Sequence, residues 1–124
     1  ARSPLQSGYT SKLSASAFSL TAMIPTEGVE VIGDTAIGGL HNASKYEYCP
    51  HCLNWLITRP AGMPFVNVLP TMFSVPAWST PFMETCAGEK LPWAKTSAVH
   101  SFDRYPQEAD YGPLMQEYAA RAGQ

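Results

Sequence analysis

The residues best suited to chemistry in this chain are Cys49, Pro50, His51 and Cys52. The C-x-x-C spacing lets both sulfurs converge on one centre. Such a pair can form half of a tetrahedral zinc site, with each thiolate ~2.3 Å from the metal. It can equally be a redox couple, one thiolate attacking and the other resolving. A structural zinc site normally takes four ligands. Cys86, the third cysteine, lies far along the chain with no second cysteine beside it, and His41, His51 and His100 show no ligand spacing. The plainest alternative is two reduced cysteines left in a tight turn.

The C-P-H-C tetrapeptide also serves as the active-site motif of thiol oxidants with a thioredoxin fold. There it opens a helix, whose N-terminal dipole lowers the thiolate pKa. Here Leu53-Asn54-Trp55-Leu56-Ile57-Thr58 runs into Arg59-Pro60. That stretch is too short and too branched for such a helix, and no clear βα unit precedes it.

The elements that must position the motif read as strands. Phe18, Leu20 and Ala22 alternate with Ser19, Thr21 and Met23 up to Pro25, which predicts a strand. Residues 29–32 predict a second, and Thr35 to Leu40 a third, weakened by Gly38-Gly39. Tyr46 to Tyr48 leads into the motif, and Leu53 to Thr58 is a strand closed by an Arg59-Pro60-Ala61-Gly62 turn. Phe65 to Leu69 and Phe82 to Cys86 complete the set, with a corner at Trp78 to Pro81. Short strands at regular spacing mark an all-β domain. Only the C-terminus reads as helix, over about residues 113–122, with Asp110 as cap, Pro113 in the first turn and a stripe of Leu114, Met115, Tyr118, Ala119 and Ala122. The expectation is one mainly β domain over 1–124 that begins with a loop-like stretch to residue 16.

Composition narrows the function. The chain has 124 residues, 45% hydrophobic and 15% charged, so a single core is affordable. Its 11 prolines and 9 glycines argue against long helices. The 8 basic residues are scattered and the net charge is -2, which leaves no electrostatic footprint for nucleic acid. No window approaches the ~20 apolar residues of a membrane span. Ala1 to Gln6 has no apolar leader segment, and the odd cysteine count argues against a disulfide framework. A reducing cytoplasm is the expected location.

Several stretches carry a pattern when taken in order. They are Ser16-Ala17-Phe18-Ser19, Gly38-Gly39-Leu40-His41, Tyr48-Cys49-Pro50-His51-Cys52, and Trp55 with Arg59-Pro60-Ala61-Gly62. Downstream follow Val66-Asn67-Val68, Pro76-Ala77-Trp78, Pro81-Phe82-Met83-Glu84-Thr85, Glu89-Lys90-Leu91-Pro92-Trp93 and Val99-His100-Ser101-Phe102. In that order they resemble the glutathione-dependent formaldehyde-activating enzyme family, which includes the centromere protein V type. The resemblance implies small antiparallel sheets that coil around one another. It also implies zinc held by cysteines and a carbon–sulfur lyase reaction that joins formaldehyde to glutathione as S-hydroxymethylglutathione.

The chain departs from that pattern at the metal sites. Cys49 and Cys52 match the later C-x-x-C of the structural site, whose early C-x-C would fall upstream of Ala1, as in an N-terminally truncated member. The substrate-site cysteines would fall on Leu5, Ser7 and Thr10, none of which is a thiol. Leucine cannot ligate, and neutral hydroxyls are poor zinc ligands beside Cys or His. The expected cofactor state is therefore none, with Cys49 and Cys52 as the remnant half-site through which zinc would bind. His51 or Cys86 is a candidate further ligand, and a second subunit could supply a matching pair. Loss of the early β segment would expose sheet edges and favour a homodimer.

His41, His51, Trp55 and Arg59 are the candidate ligand-binding residues for a glutathione-like small molecule, Arg59 because a guanidinium grips carboxylates in two-point fashion. For the tryptophans, packing is the alternative; for Arg59, a local carboxylate. Cys86 reads as an inert buried thiol, and His100 as a half-buried histidine satisfied by backbone. Three functions follow. The first is a diverged, non-catalytic relative with an unidentified ligand. The second is the family's lyase, rebuilt on Cys49, Cys52 and a histidine. The third is a thiol–disulfide protein using the Cys49/Cys52 pair.

Overall fold

Alternation of apolar and polar side chains, cut by glycine and proline, produces short strands in the computed structural model, which describes residues 16–39, 43–74 and 79–122. In chain order the strands are β1 (Ala22–Pro25), β2 (Ala36–Gly38), β3 (Lys45–Tyr48), β4 (Trp55–Arg59), β5 (Phe65–Val68), β6 (Met83–Glu84) and β7 (His100–Ser101). Among the described residues one α-helix, α1 (Tyr111–Ala122), follows. The protein is thus mainly β, as the sequence predicts. Among the described residues, no helix is long and apolar enough to cross a membrane.

Five strands form an antiparallel sheet in the order β1-β5-β4-β3-β2. Residues paired across strands share a face, so the register defines two rows. Ala22, Val68, Ile57, Glu47 and Ile37 lie in one; Met23, Asn67, Thr58, Tyr46 and Gly38 lie in the other. On the first face Ile57, Val66 and Val68 form the buried core, with Ile24, Val29 and Leu56 against it. The Arg59–Gly62 turn forms as expected: Met63 N–H donates to Pro60 O at 3.4 Å, and Gly62 takes φ +71°, a conformation that favours glycine.

β6 and β7 pair in parallel, so the chain between them must cross over. The Glu84 carboxylate ties that crossover down. It accepts hydrogen bonds from Ser101 Oγ (2.8 Å), Thr96 Oγ1 (3.0 Å) and Lys90 Nζ (3.1 Å). The Ser101 and Lys90 bonds hold its pKa below the usual carboxylate value. α1 docks on β7: Glu117 Oε2 lies 2.8 Å from His100 Nε2, and the Phe82 ring packs against His100 at 5.1 Å and Tyr118 at 5.5 Å.

Several local expectations are corrected. The 29–32 stretch forms no strand, and Ile32 is 89% exposed, because no neighbouring strand offers it a ladder. β1 begins at Ala22 rather than near Phe18. β6 has two residues because Cys86 turns into the left-handed region at φ +57°. Asp110 does not cap α1. It closes a 3-10 turn (Glu108–Asp110) and accepts Gln107 N–H at 3.0 Å in a capping box. The helix half-buries Tyr111, Leu114, Glu117 and Tyr118, whereas Met115 and Ala119 are exposed. His100 meets the Glu117 carboxylate rather than backbone. Trp78, which opens the expected corner to Pro81, and residues 1–15 of the expected loop-like start to residue 16 lie outside the described residues.

Candidate functional site: the Cys49–Cys52 turn

The two cysteines sit in the loop joining β3 to β4, the central hairpin of the sheet. Cys49 N–H donates to Asn54 O at 2.9 Å, and Leu53 N–H returns to Cys49 O at 2.8 Å. A loop this tight needs one residue in the left-handed region. Leu53 takes it, at φ +60°. Glycine normally fills such a position because a Cβ is strained there, by roughly 1–2 kcal/mol. Leu53 is also 66% exposed, so packing does not repay the strain.

The turn holds the Cys49 pKa below the ordinary thiol value. The Cys52 and His51 amides, the Cys52 thiol and the Leu53 amide favour the thiolate there, and desolvation opposes them. Hydrogen bonds to the charged form favour it. A backbone loop of this kind stabilises a thiolate without a helix dipole. Indeed Cys52 leads into strand β4, not a helix. Both thiols are free; Cys49 is half-buried and Cys52 exposed.

Among the described residues, the candidates Trp55, Arg59 and Cys86 do not converge on this turn. His51 is in it, with an exposed side chain. Arg59 lies at the far end of β4, where Nε donates to Glu47 Oε2 at 2.5 Å. Glu47 is 4% exposed and also accepts Thr35 Oγ1 at 2.8 Å. Burial pushes the Glu47 pKa up, but the Thr35 and Arg59 hydrogen bonds and the Arg59 and Lys45 charges outweigh it, and the net shift is downward. Trp55 is buried against Tyr46, and its Nε1–H donates to Thr58 Oγ1 at 3.0 Å. It borders a groove on the opposite sheet face that neither Cys49 nor Cys52 lines. His41 lies outside the described residues. Cys86 is buried on that groove.

The donor set fits two corners of a tetrahedral metal shell. Among the described residues no group of three or more His, Cys, Asp or Glu side chains is placed to hold a metal. Two features of the site escape sequence reading. Glu47 as the partner of Arg59 becomes visible only once the β3–β4 register is known. The αL residue of the turn is hidden because leucine stands where glycine would have signalled it. In comparisons with known proteins, no family model, no curated protein and no solved structure matches the chain.

Proposed function

We propose that the chain is a diverged, non-catalytic relative of the formaldehyde-activating family whose Cys49–Cys52 turn is a structural metal half-site. The observation that carries this is the set of amides on the Cys49 sulfur, with the Cys52 thiol beside it. A turn that prepares a thiolate lowers the proton cost of metal binding. The ordered motifs from Ser16 to Phe102 support the family reading, and Leu5, Ser7 and Thr10 at the substrate-site positions support the loss of its chemistry. A thiol turn set apart from the groove also argues for a structural role.

Four ligands are the norm for structural zinc. Cys52 and its neighbours at 50–54 are exposed, so two turns from two copies can meet across a two-fold axis and supply four thiolates. The test is elemental mass spectrometry of zinc-reconstituted protein, wild type and Cys49→Ser, beside an assay of formaldehyde consumption with glutathione. The expected result is about half a zinc per chain, lost in the variant, with turnover no faster than the uncatalysed reaction. Metal-dependent turnover would restore the lyase reading.

The lowered pKa of Cys49 and the adjacent Cys52 thiol favour a second reading, a thiol–disulfide protein. Under it Cys49 attacks a disulfide and Cys52 resolves, so Cys52→Ser should trap mixed disulfides. An absence of trapped species would end that reading.

A further inference from the structure

Between the sheet face carrying Met23, Asn67, Thr58 and Tyr46 and the C-terminal unit of β6, β7 and α1 lies a groove of about 1240 Å³. Small-molecule pockets typically span roughly 300–1,000 Å³, so its capacity is ample. Six rings line it, those of Phe18, Tyr46, Trp55, Phe65, Tyr105 and Tyr111. Met23, Met63, Met83 and Met115 add flexible apolar surface.

The charged groups on this lining are of unequal sign. Among the described residues that line it, Glu27, Glu84 and Glu108 are the carboxylates and Lys90 is the cation. Lys90 is committed to Glu84 at 3.1 Å, so that pair cancels. No ion pair among the described residues engages Glu27 or Glu108. The groove therefore combines an apolar, ring-rich lining with two carboxylates that no ion pair among the described residues engages. Aromatic ring faces are themselves negative and attract cations.

From this complementarity we infer that the groove binds an apolar organic cation, a quaternary ammonium or protonated amine carried on an aromatic or alkyl body. The body displaces water from the rings and methionines. The cationic head takes the ring faces and the field of Glu27 and Glu108. An anionic ligand of the same size meets repulsion instead. The site is separate from the Cys49–Cys52 turn, and its occupancy does not depend on metal.

The test is a titration of the isotope-labelled full chain at low salt, followed by amide and indole NMR shifts. Three probes are compared: benzyltrimethylammonium, its neutral isostere neopentylbenzene, and benzenesulfonate. The Trp55 indole N–H and the Asn67 side-chain amide report the groove, because both residues line it. Benzyltrimethylammonium should shift both signals and bind about 5- to 30-fold more tightly than the neutral isostere, the worth of a cation–π contact. Benzenesulfonate should move neither. A Glu27→Gln/Glu108→Gln variant, altered only at exposed positions, should lose cation affinity and keep the affinity for the neutral probe. Equal affinity for cation and neutral isostere would overturn the inference, as would cation binding that leaves Trp55 and Asn67 unmoved.

Discussion

Arg59→Met should cost more stability than Glu47→Gln, although both variants break the same ion pair. The Glu47 side chain is 5% exposed and that of Arg59 is 33% exposed. Without Arg59, the Glu47 carboxylate stays buried while the Thr35 hydroxyl still donates to it at 2.8 Å. Breaking a buried pair in this way costs about 3–5 kcal/mol. Without the Glu47 charge, Arg59 can turn to water, and the glutamine amide can still bond both neighbours. That loss is nearer ~1–2 kcal/mol, the scale of a weakened hydrogen bond.

The pH dependence should separate the two as well. In the native protein the net Glu47 pKa lies below its ordinary value, so its contribution is present above the unfolded carboxylate pKa and lost as pH falls through the folded one. In Arg59→Met, the Thr35 bond and the Lys45 charge are what still oppose burial, so that pKa rises from its native position. The group then stabilises less at neutral pH, and the difference from the native protein shrinks as pH falls. Urea unfolding between pH 4 and 8, followed by tryptophan fluorescence and circular dichroism, measures both effects. A smaller loss in Arg59→Met than in Glu47→Gln, or an unchanged pH slope in Arg59→Met, would refute this reasoning.

Three other outcomes are expected. Leu53→Gly should raise stability by about 1 kcal/mol, because it relieves a left-handed φ while giving up an exposed side chain, whereas Leu53→Ala should not; thermal unfolding checks both. Cys49 should be alkylated by iodoacetamide with a midpoint below the ordinary thiol pKa of about 8.5, followed by peptide mass spectrometry across pH, despite the better access of Cys52. Trp55→Phe removes the Nε1–H donor to the buried Thr58 hydroxyl and should cost about 1–3 kcal/mol by chemical denaturation.

The central hairpin is the part of the fold most legible in the sequence. Tyr46, Ile57, Val66 and Val68 sit where alternation and the Pro60–Gly62 turn put them, because each strand finds a neighbour close along the chain. Val29, Val31 and Ile32 carry the same pattern and form no strand, since alternation says nothing about whether a partner is in reach. β7 was invisible because two residues cannot show a period, and its pairing with β6 spans a crossover. At the candidate site, the C-x-x-C spacing announced a shared centre for the sulfurs. The amides that hold the Cys49 pKa down belong to a turn closed by the φ of Leu53, which residue type conceals. The groove is hidden for a related reason: Tyr46, Trp55 and Tyr111 line it from elements whose approach no local pattern encodes.

The most direct test of the account is the zinc content of the reconstituted chain, measured with its mass in solution, for wild type and Cys49→Ser. About half a zinc per chain in a dimer, absent from the variant, is the predicted result for two thiol turns sharing four ligands. A wild-type chain that takes up no zinc, or one whose zinc survives loss of Cys49, would contradict the assignment of this turn as a structural metal half-site.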